Sequence, residues 1–199
     1  MSRAWTHIGR LWTNGESFLA LDANLLPHWR GLSDNTYQDV IVGLSWDVTS
    51  VPIGEGSAAF IATDPEVGDE GWLEVFESSE AIAVVQASPE DDSAYGATVT
   101  AALEHPEDDD ERGDAVEISG GRLVFFSAAL DGEGEDSPPL QAASAQALPD
   151  SWPDLDDDDE LAGLVLDVEP TTLRVQVRWR TEIDSGVFAR WLLVREPVQ

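Results

Sequence analysis

Cysteine and lysine are both absent from this chain, histidine occurs only three times, and no run of about 18 apolar residues interrupts it. Each absence removes a class of chemistry. Without cysteine there is no disulfide, no thiolate nucleophile, no Cys-ligated zinc and no iron–sulfur cluster. Without a long apolar run there is no sequence for a membrane-spanning helix, and Met1-Ser2-Arg3-Ala4-Trp5 does not open a signal peptide, so a cytoplasmic location is expected. Without lysine, the ten arginines face 40 Asp and Glu, a formal charge of -30. Such a surface repels phosphate backbones and anionic bilayers. The expectation is no direct nucleic-acid binding, no membrane association, and a macromolecular partner that is basic.

What is present is a foldable chain. Of its 199 residues 42% are hydrophobic, enough to exclude simple disorder, and a chain of this length buries roughly 70% of its unfolded surface. The charge is concentrated: residues 89–160 carry 22 acids and two arginines, whereas 161–199 carry five of each. Two like-charge blocks, 107–111 and 156–160, read as solvated loops, and most of 131–160, rich in Gly, Ser, Ala, Pro and Asp, reads as a long loop or linker.

Around this acidic middle the apolar residues are patterned for strands. Short runs at 17–21, 57–62, 72–76, 81–87 and 122–126 are bounded by Gly, Pro, Asp or Ser. Leu173, Val175, Val177 and Trp179 alternate with Arg174, Gln176, Arg178 and Arg180, giving one oily and one cationic face, and 187–194 follows a turn as an antiparallel partner. One helix is signalled at 88–105: Ser88 as cap, Pro89 in the first position, acids in the first turn, an apolar face of Ala94, Thr98, Val99, Ala101, Ala102 and Leu103, and a stop at His105-Pro106. A weaker helical turn is placed at 23–29. The fold class is therefore α+β, mostly antiparallel sheet in one or two sheet-containing lobes with one clear helix. The division expected is a β-rich lobe at 1–115 carrying the helix, and a second β lobe at 116–199 carrying the acidic loop 131–160.

Catalytic signatures are missing. His7, His28 and His105 have no metal-ligand spacing, and no Gly-x-Ser-x-Gly elbow exists. Gly54-Glu55-Gly56-Ser57-Ala58-Ala59 imitates a dinucleotide fingerprint, but β-like Phe60-Ile61-Ala62 follows where a helix is required, so a hairpin turn is expected. An EF-hand register starting at Asp154 fails, with Asp159 at the glycine position and Val165 where the bidentate Glu belongs. Forty acids single out no catalytic pair. No catalytic residue, cofactor or metal site is assigned. Among eight tryptophans, Trp72, Trp179 and Trp191 lie in strand patterns and read as core, while Trp152, flanked by Asp150-Ser151 and Pro153-Asp154, is the candidate for partner contact. The cationic face of Arg174, Arg178 and Arg180 is expected to pair with the chain's own acidic loops.

The order of certain strings resembles the immunity protein 21 family of bacterial polymorphic-toxin systems. These are Phe18-Leu19-Ala20-Leu21 leading to Leu25-Leu26-Pro27-His28-Trp29-Arg30-Gly31, Tyr37-Gln38-Asp39, and Val51-Pro52-Ile53-Gly54-Glu55-Gly56-Ser57-Ala58. Ala83-Val84-Val85, Gly121-Arg122-Leu123-Val124-Phe125-Phe126-Ser127-Ala128 and Leu173-Arg174-Val175-Gln176-Val177 continue it over most of the chain. The resemblance implies a small cytoplasmic protein that binds and neutralises a toxin, with no catalytic residue to carry over. Many such toxins act on nucleic acids through cationic clefts, which an anionic inhibitor can fill. The expected contact face comprises Asp108, Asp109, Asp110 and Glu111 with Asp156, Asp157 and Asp158, anchored by Trp152. The competing readings are an acidic, salt-adapted protein of other binding function, a nucleic-acid mimic, and a carboxylate- or metal-dependent enzyme.

Overall fold

The structure is a computed structural model that describes residues 3–45, 47–155 and 161–197. In chain order its first strands are β1 (Thr6–Thr13), β2 (Phe18–Asp22), β3 (Ser50–Ile53), β4 (Gly56–Ile61), β5 (Gly71–Glu77) and β6 (Ala81–Pro89). The helix α1 (Tyr95–Glu104) separates these from β7 (Glu111–Ile118), β8 (Arg122–Ser127), β9 (Leu140–Ala142), β10 (Gly163–Asp167), β11 (Thr171–Ile183) and β12 (Gly186–Arg195). They form two six-stranded sheets, ordered β1-β5-β6-β12-β11-β7 and β3-β4-β2-β8-β10-β9. Every pairing is antiparallel except β9 with β10. Each sheet takes strands from both sides of residue 115, so the sheets do not follow the expected division into 1–115 and 116–199.

The sheets share one core. Phe18 and Ala20 of β2 and Leu123 and Phe125 of β8 face Leu73 and Val75 of β5, Val84 of β6 and Val175 of β11 between them. The alternate residues are buried too. Leu19, Leu21, Val124 and Phe126 lie against Trp29 and Ile41, carried by a 3-10 turn at Ala23–His28 and a π-helical turn at Tyr37–Ile41. Trp72, Phe76, Val85, Phe188 and Leu192 lie beneath Tyr95, Val99 and Ala102 of α1. Strands covered on both faces need continuous apolar runs, which is what 18–21, 81–85 and 123–126 supply. Where one face meets water the alternation survives, as in β11.

Two turns behave as the sequence requires. Ile53 pairs with Gly56 across a two-residue hairpin, with Gly54 at φ +56, a conformation open to glycine. Asp22 ends β2 by accepting hydrogen bonds from the backbone of Asn24 (2.9 Å), Ser119 (2.5 Å) and Gly120 (2.7 Å) and from the Ser119 hydroxyl (2.9 Å). Burial alone pushes this carboxyl up, but the hydrogen bonds from Asn24, Gly120 and Ser119 outweigh it and hold it below the ordinary carboxylate value. A depressed folded-state pKa contributes stability that is fully present above about pH 3.9 and is lost as pH falls through the folded value. Asp22→Asn should therefore cost about 1–3 kcal/mol in urea unfolding at pH 7, a difference that shrinks toward pH 2. A deficit that stays constant with pH would show that the carboxylate charge is not what these donors hold.

The helix start differs from expectation. Ser88 and Pro89 are not cap and first helical residue; they extend β6, paired with Val187 and Gly186 of β12. Asp91 caps instead, accepting from the Ser93 backbone at 3.0 Å to open a 3-10 turn, Asp92–Ala94, that leads into α1. The strand wins at 88 and 89 because β12 offers pairing partners to its very end. The stretch 131–155, read as part of a loop or linker, is irregular apart from β9, yet it is tied down as a strap. Ser144 and Gln146 donate to the carbonyls of Ile8 and His7 on the edge strand β1, and Gly96 of α1 donates to Asp150. A Cβ on Gly96 would lie 2.6 Å from the Pro149 carbonyl, so only glycine admits that approach.

Candidate functional site

The block Glu107, Asp108, Asp109, Asp110 and Glu111 joins the end of α1 to the start of β7. It is not uniformly solvated. The Asp110 side chain is 1% exposed: Oδ1 accepts from Arg178 Nε at 2.8 Å and Oδ2 from Arg190 Nη2 at 2.7 Å. Arg190, also 1% exposed, donates through Nη1 to the carbonyls of Ala102 (2.7 Å) and His105 (2.9 Å), closing the carboxyl end of α1. Arg178 Nη2 reaches the Pro106 carbonyl at 3.2 Å. Like charges cannot be packed together, but one of them can when two guanidiniums meet it. With Asp110 drawn inward, Asp108 and Asp109 face water, the Asp109 side chain 88% exposed and 3.9 Å from Arg178. Glu111 is exposed and accepts from the Trp179 indole at 3.0 Å.

The other expected contact residues divide. Trp152 does not serve as an exposed anchor: it is half-buried, stacked edge-on against Tyr95 with centroids 5.2 Å apart. Asp156, Asp157 and Asp158 lie outside the described residues. The cationic face of β11 does pair internally, Arg174 with Glu196, Arg178 with Asp110 and Arg180 with Glu182. Arg3, Arg10, Arg30, Arg112, Arg190 and Arg195 also stand within 4.0 Å of carboxylates. The positive charge of the molecule is thus mostly neutralised by its own acids.

A second polar cluster, absent from the sequence reading, lies under α1. A bulge in β1 between His7 and Gly9 turns His7 to the same face as Arg10. Glu74 of β5, fully buried, accepts from the Tyr95 hydroxyl at 2.8 Å on Oε1 and meets His7 Nε2 at 2.6 Å and Arg10 Nε at 3.7 Å on Oε2. Burial first, then the charge and hydrogen bond of Glu74, push the Tyr95 hydroxyl far above its ordinary value, so it stays a donor. The cue was legible in retrospect: Glu74 is the one acid inside the apolar run 72–76.

Chemically, the carboxylates of Asp110 and Glu74 have their oxygens committed to structural partners. Among the described residues no three His, Asp or Glu side chains are grouped to hold a metal ion, and no helix is long and apolar enough to cross a membrane. No family model, no curated protein and no solved structure matches this chain.

Proposed function

We propose that this protein acts by binding rather than turnover, as an immunity protein that covers the cationic substrate-binding surface of a bacterial toxin. The observation that carries the reading is the distribution of charge. Forty acids against ten arginines, nine of which already stand beside carboxylates of the same chain, leave an exterior of one sign. Asp108 and Asp109 project from a block whose root, Asp110, is pinned in the core, so the charge is presented at low cost in ordering entropy. The motif order resembling immunity protein 21 supports the same partner class. Steering of this kind raises association rates by one to three orders of magnitude at low salt, and a stable complex buries on the order of 1,600 Å².

The test is co-expression with the product of the neighbouring gene, pull-down, and rescue of cell survival. In the complex, Asp108→Arg with Asp109→Arg should slow association about tenfold or more at low salt, read by stopped flow. No complex with that product sinks the immunity reading, and an unchanged association rate sinks this face. The absence of lysine favours a second reading, in which the acidity is salt adaptation; there stability rises steeply with added salt as self-repulsion is screened, whether or not a partner binds.

A further inference from the structure

Between the start of β1, the last turns of α1 and the strap lies a cleft of about 500 Å³, in the size range of binding clefts. Trp5, His7 and Phe76 provide aromatic surface; Thr100, Glu104 and Gln146 provide polar groups. Glu104 belongs to the acid-rich stretch that continues into the 107–111 block. It stands at the carboxyl end of α1, where the helix macrodipole is negative. At the floor, His7 Nε2 lies 2.6 Å from the Glu74 carboxylate, and its Nδ1 is buried without a partner. The Thr100 hydroxyl donates to the Gly96 carbonyl at 2.7 Å, leaving its own lone pairs toward other donors. The cleft therefore presents acceptors, a carboxylate and ring faces.

One cation already lies at its rim. Arg3 stacks 5.8 Å over the Trp5 ring and is held between Glu80 and Glu107, an arrangement of aromatic face and paired carboxylates that suits a planar guanidinium. We propose that this cleft is a socket for an arginine side chain presented by the basic partner, seated beside Arg3 against Trp5 and paired to Glu104. Resting on the binding function proposed above, it names the contact that follows electrostatic capture. Arginine is favoured over lysine because a flat, forked cation both stacks on an aromatic wall and pairs two-pronged with a carboxylate.

The probe is the peptide acetyl-Gly-Arg-Gly-amide, with its citrulline counterpart as the neutral isostere, titrated into ¹⁵N-labelled full-length protein. Saturable shifts are expected at the Trp5 indole and at the Thr100 and Leu103 amides with arginine and not with citrulline. Glu104→Gln should weaken binding at least fivefold. Thr100→Arg, a long cation grown into the cleft from an exposed helix position, should abolish it while amide resonances elsewhere stay in place. Equal response to both peptides, shifts spread evenly over the exposed acids, or binding that survives Thr100→Arg would overturn the socket. If the peptide fills the cleft but the neighbouring gene's product never associates, the socket stands and the immunity reading falls. If that product associates and neither peptide shifts the cleft, the reverse holds.

Discussion

Arg190→Ala should lower the stability of this protein by about 3–5 kcal/mol, one of the two largest effects of any single substitution foreseen here. The reason is what remains after the guanidinium is gone. Asp110 stays buried with one cation, Arg178, where it had two; the carbonyls of Ala102 and His105 lose their donor at the end of α1. A buried charge left with one of its two cations and unsatisfied carbonyls both carry desolvation penalties that no new contact offsets. Arg190→Lys keeps the charge but a single ammonium cannot reproduce the fork that reaches two carbonyls and a carboxylate, so it should recover only part of the loss. Urea unfolding at pH 7 measures both. A loss under 1 kcal/mol for the alanine variant would mean that the triad is not what holds the acid block. Because Asp110 roots that block, hydrogen exchange at 107–110 should rise in the alanine variant more than in the strands of the second sheet.

Glu74→Ala is expected to cost a similar 3–5 kcal/mol by a different route. Three groups converge on this carboxylate, and its removal strands the Tyr95 hydroxyl and the His7 ring while deleting the counter-charge of Arg10. It also opens a void under α1. Glu74→Gln separates the electrostatic from the packing contribution: the amide oxygen still accepts from Tyr95 and the volume is kept, so a loss of about 1–3 kcal/mol is expected, read in the same urea titration. Equal losses for the two variants would show that the ionised carboxylate, and not the volume it fills, decides the position.

Much of the strand inventory was legible because burial on both faces leaves a simple trace. Phe18 to Leu21, Ala81 to Val85 and Leu123 to Phe126 are continuous apolar runs, and they became parts of β2, β6 and β8. The expected runs leave out β1, β3, β7, β9 and β10, and two of these do not carry their reason locally. β7 begins inside an acid block and shows only Val116 and Ile118 as fully buried apolar residues; it is a strand because β11 presents a pairing edge. β9 is three exposed residues held by parallel pairing to β10. Pro89 reads as a helix start until β12 is there to pair with it.

The sequence by itself determined the sign of the exterior, the α+β class, the single helix and the hairpin at Gly54, since composition, periodicity and turn chemistry act over a few residues. Only the tertiary structure decided which acids are structural. Asp109 and Asp110 are adjacent and chemically identical, yet one faces water and the other meets Arg178 and Arg190, 68 and 80 residues away in the chain. A carboxylate is buried or exposed according to the cations that the fold brings to it. That depends on which strands become neighbours, a property of the whole sheet that no local stretch of sequence contains.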